Sequence, residues 1–251
     1  MLQGLFSLEG RLALVTGGSG AIGRGAAATF HELGASVILT GKTEDHLRAA
    51  VESLPKGAPV YSVMGDARDA RHVDEVVALA RERGGVDILV NSVGVQRRKP
   101  ILEATPDDLD YLWSVNVASV FAITQKLVPQ MLEKGYGKII NLCSIGSFVG
   151  LEQKTMYAMT KGALAQYTKS AAVELAPYGI RVNALAPGYV ETPMTNDWIH
   201  SEREAEYLAA IPLHKYATIQ DLAGAFAYLA CRASDHVTGQ MLVIDGGETS
   251  R

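Results

Sequence analysis

The sequence predicts an α/β chain, with one doubly wound parallel sheet of about seven strands and helices on both faces. A single domain spans residues 1–251. Two observations carry that expectation. Short β-rich apolar runs alternate with longer Ala- and Leu-rich stretches from start to finish, which is the rhythm of βαβ units with right-handed crossovers. No repeat, low-complexity tract or long linker divides the chain.

Leu12–Thr16 reads as the first strand and Ala21–Leu33 as a helix stopped by Gly34. Val37–Thr40 is the second strand. A short helix around Glu44–Ser53 leads through Pro55 and Gly57 to a third strand, Val60–Met64. Asp69–Arg83 is helical and Val86–Asn91 is the fourth strand. Thr105 and Pro106 open a long helix, with threonine as N-cap and proline in the first turn. Lys138–Cys143 is the fifth strand, Tyr157 to about Tyr178 a helix, and Arg181–Ala186 the sixth strand, ended by Pro187-Gly188. A polar stretch runs to Lys215 before a last helix, Ile219–Cys231, and a last strand, Met241–Ile244.

Composition narrows the function. With 251 residues and 48% hydrophobic content the chain has ample material for a core. A formal charge of −4 leaves no basic footprint for nucleic acid or anionic membrane. No apolar run reaches membrane-spanning length, and the stretch from Met1 to Phe6 lacks the basic start and apolar core of a signal peptide. The two cysteines form no metal or redox motif and point to a reducing, cytoplasmic setting. Cys143 reads as a small buried strand residue. The six histidines show no ligand spacing, so no metal is expected.

The chemistry concentrates at Ser144–Lys161. Tyr157 and Lys161 are four residues apart on one helix, so they share a face. Ser144 ends the fifth strand, where open α/β sheets place their ligands. A free phenol titrates near pH 10 and is a poor base at neutral pH. A neighbouring ammonium is expected to lower that pKa, while the Ser144 hydroxyl holds a substrate oxygen. Tyr-x-x-x-Lys alone is weak, because most such pairs are solvated helix faces. The turn Thr16-Gly-Gly-Ser-Gly-Ala-Ile-Gly23 strengthens it. Glycines there allow a tight turn and close backbone approach, and the following helix N-terminus suits a diphosphate. Together these features predict a Rossmann-type dinucleotide site.

With Asn91-Ser-Val-Gly94, Asn116, Ser144, Tyr157, Lys161 and Pro187-Gly-x-x-x-Thr192, the chain resembles the short-chain dehydrogenase/reductase family across essentially its whole length. It departs at Ala21, where the family carries glycine, and at Ser92-Val93 in the family's Asn-Asn-Ala-Gly motif. The resemblance implies that Tyr157 is the proton donor and acceptor, Lys161 its partner and a ribose ligand, and Ser144 the holder of the carbonyl oxygen. Asn116 would kink the long helix and hold a water leading protons to Lys161. A nicotinamide cofactor is implied, with Gly17, Ser19, Ala21, Ile22 and Gly23 in the first turn and Asp66 and Ala67 by the adenine. Asn91 and Gly94 would meet the adenosine side. Tyr157, Lys161, Pro187, Gly188, Val190 and Thr192 would meet the nicotinamide half.

Strand two ends in Thr40-Gly41-Lys42, with no carboxylate for a ribose 2′-OH and one ammonium for a 2′-phosphate. NADP is therefore expected, with NAD as the alternative. After strand four, Arg97, Arg98 and Lys99 follow Gln96. Either they are a solvated loop, or Arg97 and Arg98 clamp a substrate carboxylate. These loops resemble a branch of the family that acts on sugar acids, gluconate 5-dehydrogenase and 2-deoxy-gluconate 3-dehydrogenase among them. A reductase of 3-oxoacyl thioesters and a catalytically dead nucleotide-binding scaffold are the rivals. The stretch 194–215 reads as a substrate lid. The resemblance and the small residues Ala158, Gly162, Ala163, Ala165, Ala171 and Ala172 imply a homotetramer.

Overall fold

The computed structural model describes residues 2–250. Met1, which begins the N-terminal stretch read above, and Arg251 lie outside the described residues. The strands are β1 (Leu12–Thr16), β2 (Ser36–Gly41), β3 (Val60–Met64), β4 (Ile88–Asn91), β5 (Gly137–Leu142), β6 (Ile180–Pro187) and β7 (Met241–Ile244). The helices are α1 (Leu2–Phe6), α2 (Ala21–Glu32), α3 (Glu44–Glu52), α4 (Ala70–Glu82) and α5 (Pro106–Trp113). They continue with α6 (Ser119–Lys134), α7 (Thr155–Leu175), α8 (Asn196–Ile199), α9 (Glu204–Ala210) and α10 (Ile219–Ala230).

The seven strands form one sheet in the order β3-β2-β1-β4-β5-β6-β7, and every neighbouring pair is parallel. Alternation along the strands divides the core in two. Ala13, Val15, Val37 and Leu39 pack with Ala26 and Phe30 of α2 and Leu222 and Phe226 of α10. Phe30 and Phe226 meet edge to face, ring centroids 6.2 Å apart. Leu12, Leu14, Ile38 and Leu89 pack on the opposite side with Val73 and Val76 of α4 and with Ile123, Leu127 and Met131 of α6. Both faces are therefore covered, as the continuous apolar strands require.

The two ends of the sheet do different work. At the N-terminal end, buried Asp87 receives Arg11 at 3.0 Å, Lys134 at 2.7 Å and the Leu12 N–H at 2.9 Å, tying three segments together. At the C-terminal end, β1 pairs with β2 on one side and β4 on the other. Their connections leave in opposite directions, and a crevice opens at that switch point.

The long helix opens as expected. Thr105 caps α5 in a reciprocal box with Asp108, and Pro106 occupies the first turn. It does not continue as one α-helix, because Ser114–Ala118 form a π-helical turn that carries Asn116. Among the described residues no helix is long and apolar enough to cross a membrane.

Candidate active site

A cleft of about 370 Å³ runs along the C-terminal ends of the strands, lined from Gly17 in the first turn to Thr195 after β6. The first turn forms one end. Gly17 has φ +64, and a Cβ there would come within 3.0 Å of the Val93 backbone. A Cβ on Gly23 would stand 2.4 Å from the Gly17 carbonyl oxygen. Both positions need glycine. The N-cap of α2 is Gly20, which brings no side-chain acceptor, so the first-turn N–H groups stay available beside Ser19, Ala21 and Ile22 on the cleft wall.

Lys42 and Asp66 form a rim, Nζ to Oδ2 at 3.0 Å. Arg68, which the sequence reading missed, grips the same carboxylate with Nε at 3.0 Å and Nη2 at 2.7 Å. The Arg68 guanidinium, with Lys42 beside it, holds the Asp66 carboxyl well below the usual carboxylate range. Two cations against one carboxylate give this end a positive excess. Ala67 and Gly94 line the wall between the rim and the catalytic end.

At the other end Ser144 and Tyr157 meet, the serine lowering the pKa of the phenol through a hydrogen bond. Ser144 follows β5 and accepts the Gly146 N–H at 3.1 Å, which fixes its rotamer. Lys161 is buried on the same face of α7 as Tyr157, its Nζ 5.7 Å from the ring centroid. That ammonium donates to the Leu142 carbonyl at 2.6 Å. Burial pushes the phenol up to about 12 against the smaller effect of Ser144. Burial also pushes Lys161 down to about 8. Desolvation acts on both groups, and the ammonium is turned toward a backbone carbonyl.

Pro187, Gly188, Val190 and Thr192 line the cleft where β6 ends. Two expected site residues lie beneath the wall instead. Asn91 donates to Thr124 at 3.1 Å and to Asn141 at 2.9 Å, so its amide nitrogen ties β4 to α6 and β5. Asn116 accepts the Val95 N–H at 2.8 Å and donates to the Val95 carbonyl at 2.9 Å and to Thr160 at 3.0 Å. It braces the loop after β4 against α7.

The two arginines part company. Arg97 pairs with Asp108 and stacks over Tyr111 at 4.5 Å, and neither it nor Arg98 is on the cleft wall. Lys99 holds the same carboxylate at 2.5 Å. Asp108 is the partner of Thr105 in the capping box of α5, so these two cations fasten the loop to that helix. The clamp expected of Arg97 is corrected on this ground. Arg98 reaches toward the 194–215 segment, its Nη2 donating to the Tyr207 hydroxyl at 3.3 Å. Arg97→Ala is expected to leave KM for an acidic substrate within about twofold, measured by steady-state kinetics. A larger rise would restore the clamp.

The comparisons agree with this geometry. The adh_short_C2 family model, described as enoyl-(acyl carrier protein) reductase, matches residues 17–249. The chain belongs to the short-chain dehydrogenase/reductase family. It is 38% identical to the gluconate 5-dehydrogenase of Gluconobacter oxydans (strain 621H) over 248 residues, covering 98% of this chain and 97% of that one. It is 34% identical to the 5-keto-D-gluconate 5-reductase of Escherichia coli (strain K12), with 98% of each covered. The crystal structure of a gluconate 5-dehydrogenase from Burkholderia cenocepacia J2315, in complex with NADP and tartrate, superposes with a TM-score of 0.93 at 35% identity over the whole of both chains.

Proposed function

We propose that this chain is an NADP(H)-dependent oxidoreductase interconverting a secondary alcohol and a ketone on a sugar acid of the gluconate and 5-ketogluconate kind. The observation that carries it is Ser144, Tyr157 and Lys161 lining one cleft whose far rim holds two cations. NADP, when bound, accepts or supplies the hydride. The narrow glycine turn and the uncapped start of α2 would hold its diphosphate, and Lys42 with Arg68 its 2′-phosphate. Ser144 donates to the substrate oxygen, and Tyr157 takes its proton in oxidation or gives one in reduction. Lys161 sits on the same helix face and supplies positive charge, and Asn116 positions the loop that walls the site.

The curated relatives and the NADP complex support this reading. Gluconate with NADP, and 5-ketogluconate with NADPH, followed by absorbance at about 340 nm, tests it. Turnover of neutral ketones without any sugar acid would overturn the substrate class. Lys42→Ala is expected to raise KM for NADP several-fold, by about 1 kcal/mol, and leave KM for NAD nearly unchanged. Equal effects on both cofactors would show that the rim does not read the 2′-phosphate.

The same proposal takes the chain as a cytoplasmic homotetramer whose 194–215 segment closes over substrate. Arg203 bridges that segment to Glu152 at 3.0 Å, which supports closure from the β5–α7 side. Ala165, Ala171 and Ala172 are buried in the chain's own core, so they are withdrawn as interface residues. Exposed Phe121 on α6 and Met159 and Val173 on α7 support association instead. Light scattering at micromolar concentration is expected to give four times the chain mass, and a monomer mass would refute it.

A further inference from the structure

Asp66 follows β3, and with Lys42 and Arg68 it lines the rim end of the cleft. Its Oδ1 accepts the Arg68 backbone N–H and Arg68 Nε, both at 3.0 Å. Its Oδ2 accepts Arg68 Nη2 at 2.7 Å and meets Lys42 Nζ at 3.0 Å. A carboxylate offers about four acceptor positions, so this one is filled. While both cations stay on it, it has no acceptor left for a donor on a cofactor. The Arg68 and Lys42 hydrogen bonds hold it well below the usual carboxylate range, so it is ionised at any working pH.

The rim is thus an anion site whose present occupant belongs to the protein. Lys42 follows β2 with its side chain 69% exposed, a point charge free to turn to another oxyanion. Arg68 has a second contact, its Cζ 5.5 Å from the centroid of the Tyr111 ring, which also lines the cleft. That ring keeps the guanidinium at the cleft when the carboxylate lets go. A Cβ on Gly41 would stand 2.6 Å from Ser19 Oγ, so the glycine turn abuts the strand end that leads into Lys42. The diphosphate cradle and the rim are therefore neighbours, as a single dinucleotide requires.

We propose that Asp66 sets the cofactor preference, as an internal competitor that the 2′-phosphate of NADP displaces from Lys42 and Arg68. A phosphate brings about −1.5 to −2 charge and three strong acceptor oxygens against one charge and two oxygens, so it draws both cations to itself. The displaced carboxylate then stands beside it as a like charge. NAD, with a neutral hydroxyl at that position, leaves Asp66 paired. This rests on the NADP reading above and gives Asp66 an effect opposite in sign to that of Lys42.

The test measures 2′,5′-ADP and 5′-AMP binding to the full chain by calorimetry, without turnover. The probes differ only in the 2′-phosphate, so any contact of Asp66 with the shared adenosine cancels in their ratio. Asp66→Asn keeps the shape and removes the charge. It is expected to raise the preference for 2′,5′-ADP by about fivefold at low ionic strength, and by less in about 0.5 M salt. Asp66→Glu, which keeps the charge, should stay within about twofold of wild type. A merely structural role would weaken both probes alike. A ratio in the Asn variant within twofold of wild type, or below it, overturns the proposal, and the NADP reading survives if wild type still prefers 2′,5′-ADP. If wild type holds both probes equally and only the Asn variant separates them, the NADP reading falls while the competitor stands.

Discussion

Tyr157→Phe is expected to lower kcat by about 10²–10⁴ while leaving NADP affinity nearly unchanged. The phenol lies beside Ser144 in the cleft, and phenylalanine keeps the ring while deleting the proton that the proposed acid-base role would transfer. The pH profile sharpens this test. Burial holds the phenol near 12 in the ligand-free fold, so wild-type oxidation at neutral pH depends on positive charge brought to the phenolate when the site is filled. The basic limb of the kcat profile should vanish in the Phe variant. Turnover within a fewfold of wild type would remove Tyr157 from the reaction.

The second large effect is expected at Lys161. Lys161→Met should lower kcat/KM by about 10² or more, because the variant loses both the charge on the face of α7 that carries Tyr157 and the proposed cofactor contact. The same variant should be more stable in the absence of cofactor. Burial draws this ammonium from 10.5 to about 8, a charged form destabilised by roughly 3 kcal/mol. Between those two values the unfolded chain binds more protons than the folded one, so folding stability from this group rises with pH across that window. Below about pH 8 the penalty is present in full. Denaturant melts at pH 7 and pH 10 should show the Met variant ahead of wild type by more at pH 7 than at pH 10. Lys154 carries a similar shift, but it is common to both proteins and cancels. A Met variant less stable than wild type at pH 7 would mean that the Leu142 contact outweighs the desolvation.

These two residues were readable in the sequence because their relation is local. Four positions on a helix put two side chains on one face, and a glycine turn after the first strand declares its own backbone geometry. The alternation of apolar runs likewise gave all seven strands, with β4 shortened at its start to Ile88. What escaped is what only tertiary folding decides. Arg97 and Arg98 look equivalent in the chain, yet one turns to Asp108 and the other toward Tyr207. Arg68 could have been noticed, since a second cation two residues after Asp66 faces the same rim as Lys42. Asn91 carried the right motif but puts its amide nitrogen to work in a buried ladder.

The π-helical turn at Ser114–Ala118 also sets the helical phase of everything after it. Leu112 of α5 and Val120 of α6 are both buried, eight residues apart. An uninterrupted α-helix would rotate about 800° over that distance and leave them about 80° out of line. A turn that absorbs one extra residue brings the rotation back to about 700°, within about 20° of two full turns. The capping-box residue Asp108 and the core positions of α6 therefore share one side only because of this local over-count. Deleting a single residue between 114 and 118 would turn the segment into a continuous α-helix of seven steps, about 700° as before, and leave Asp108 in register with α6. A one-residue gap there should therefore spare the packing of α6, and its cost should fall on Asn116, which this turn carries and which holds Val95 and Thr160.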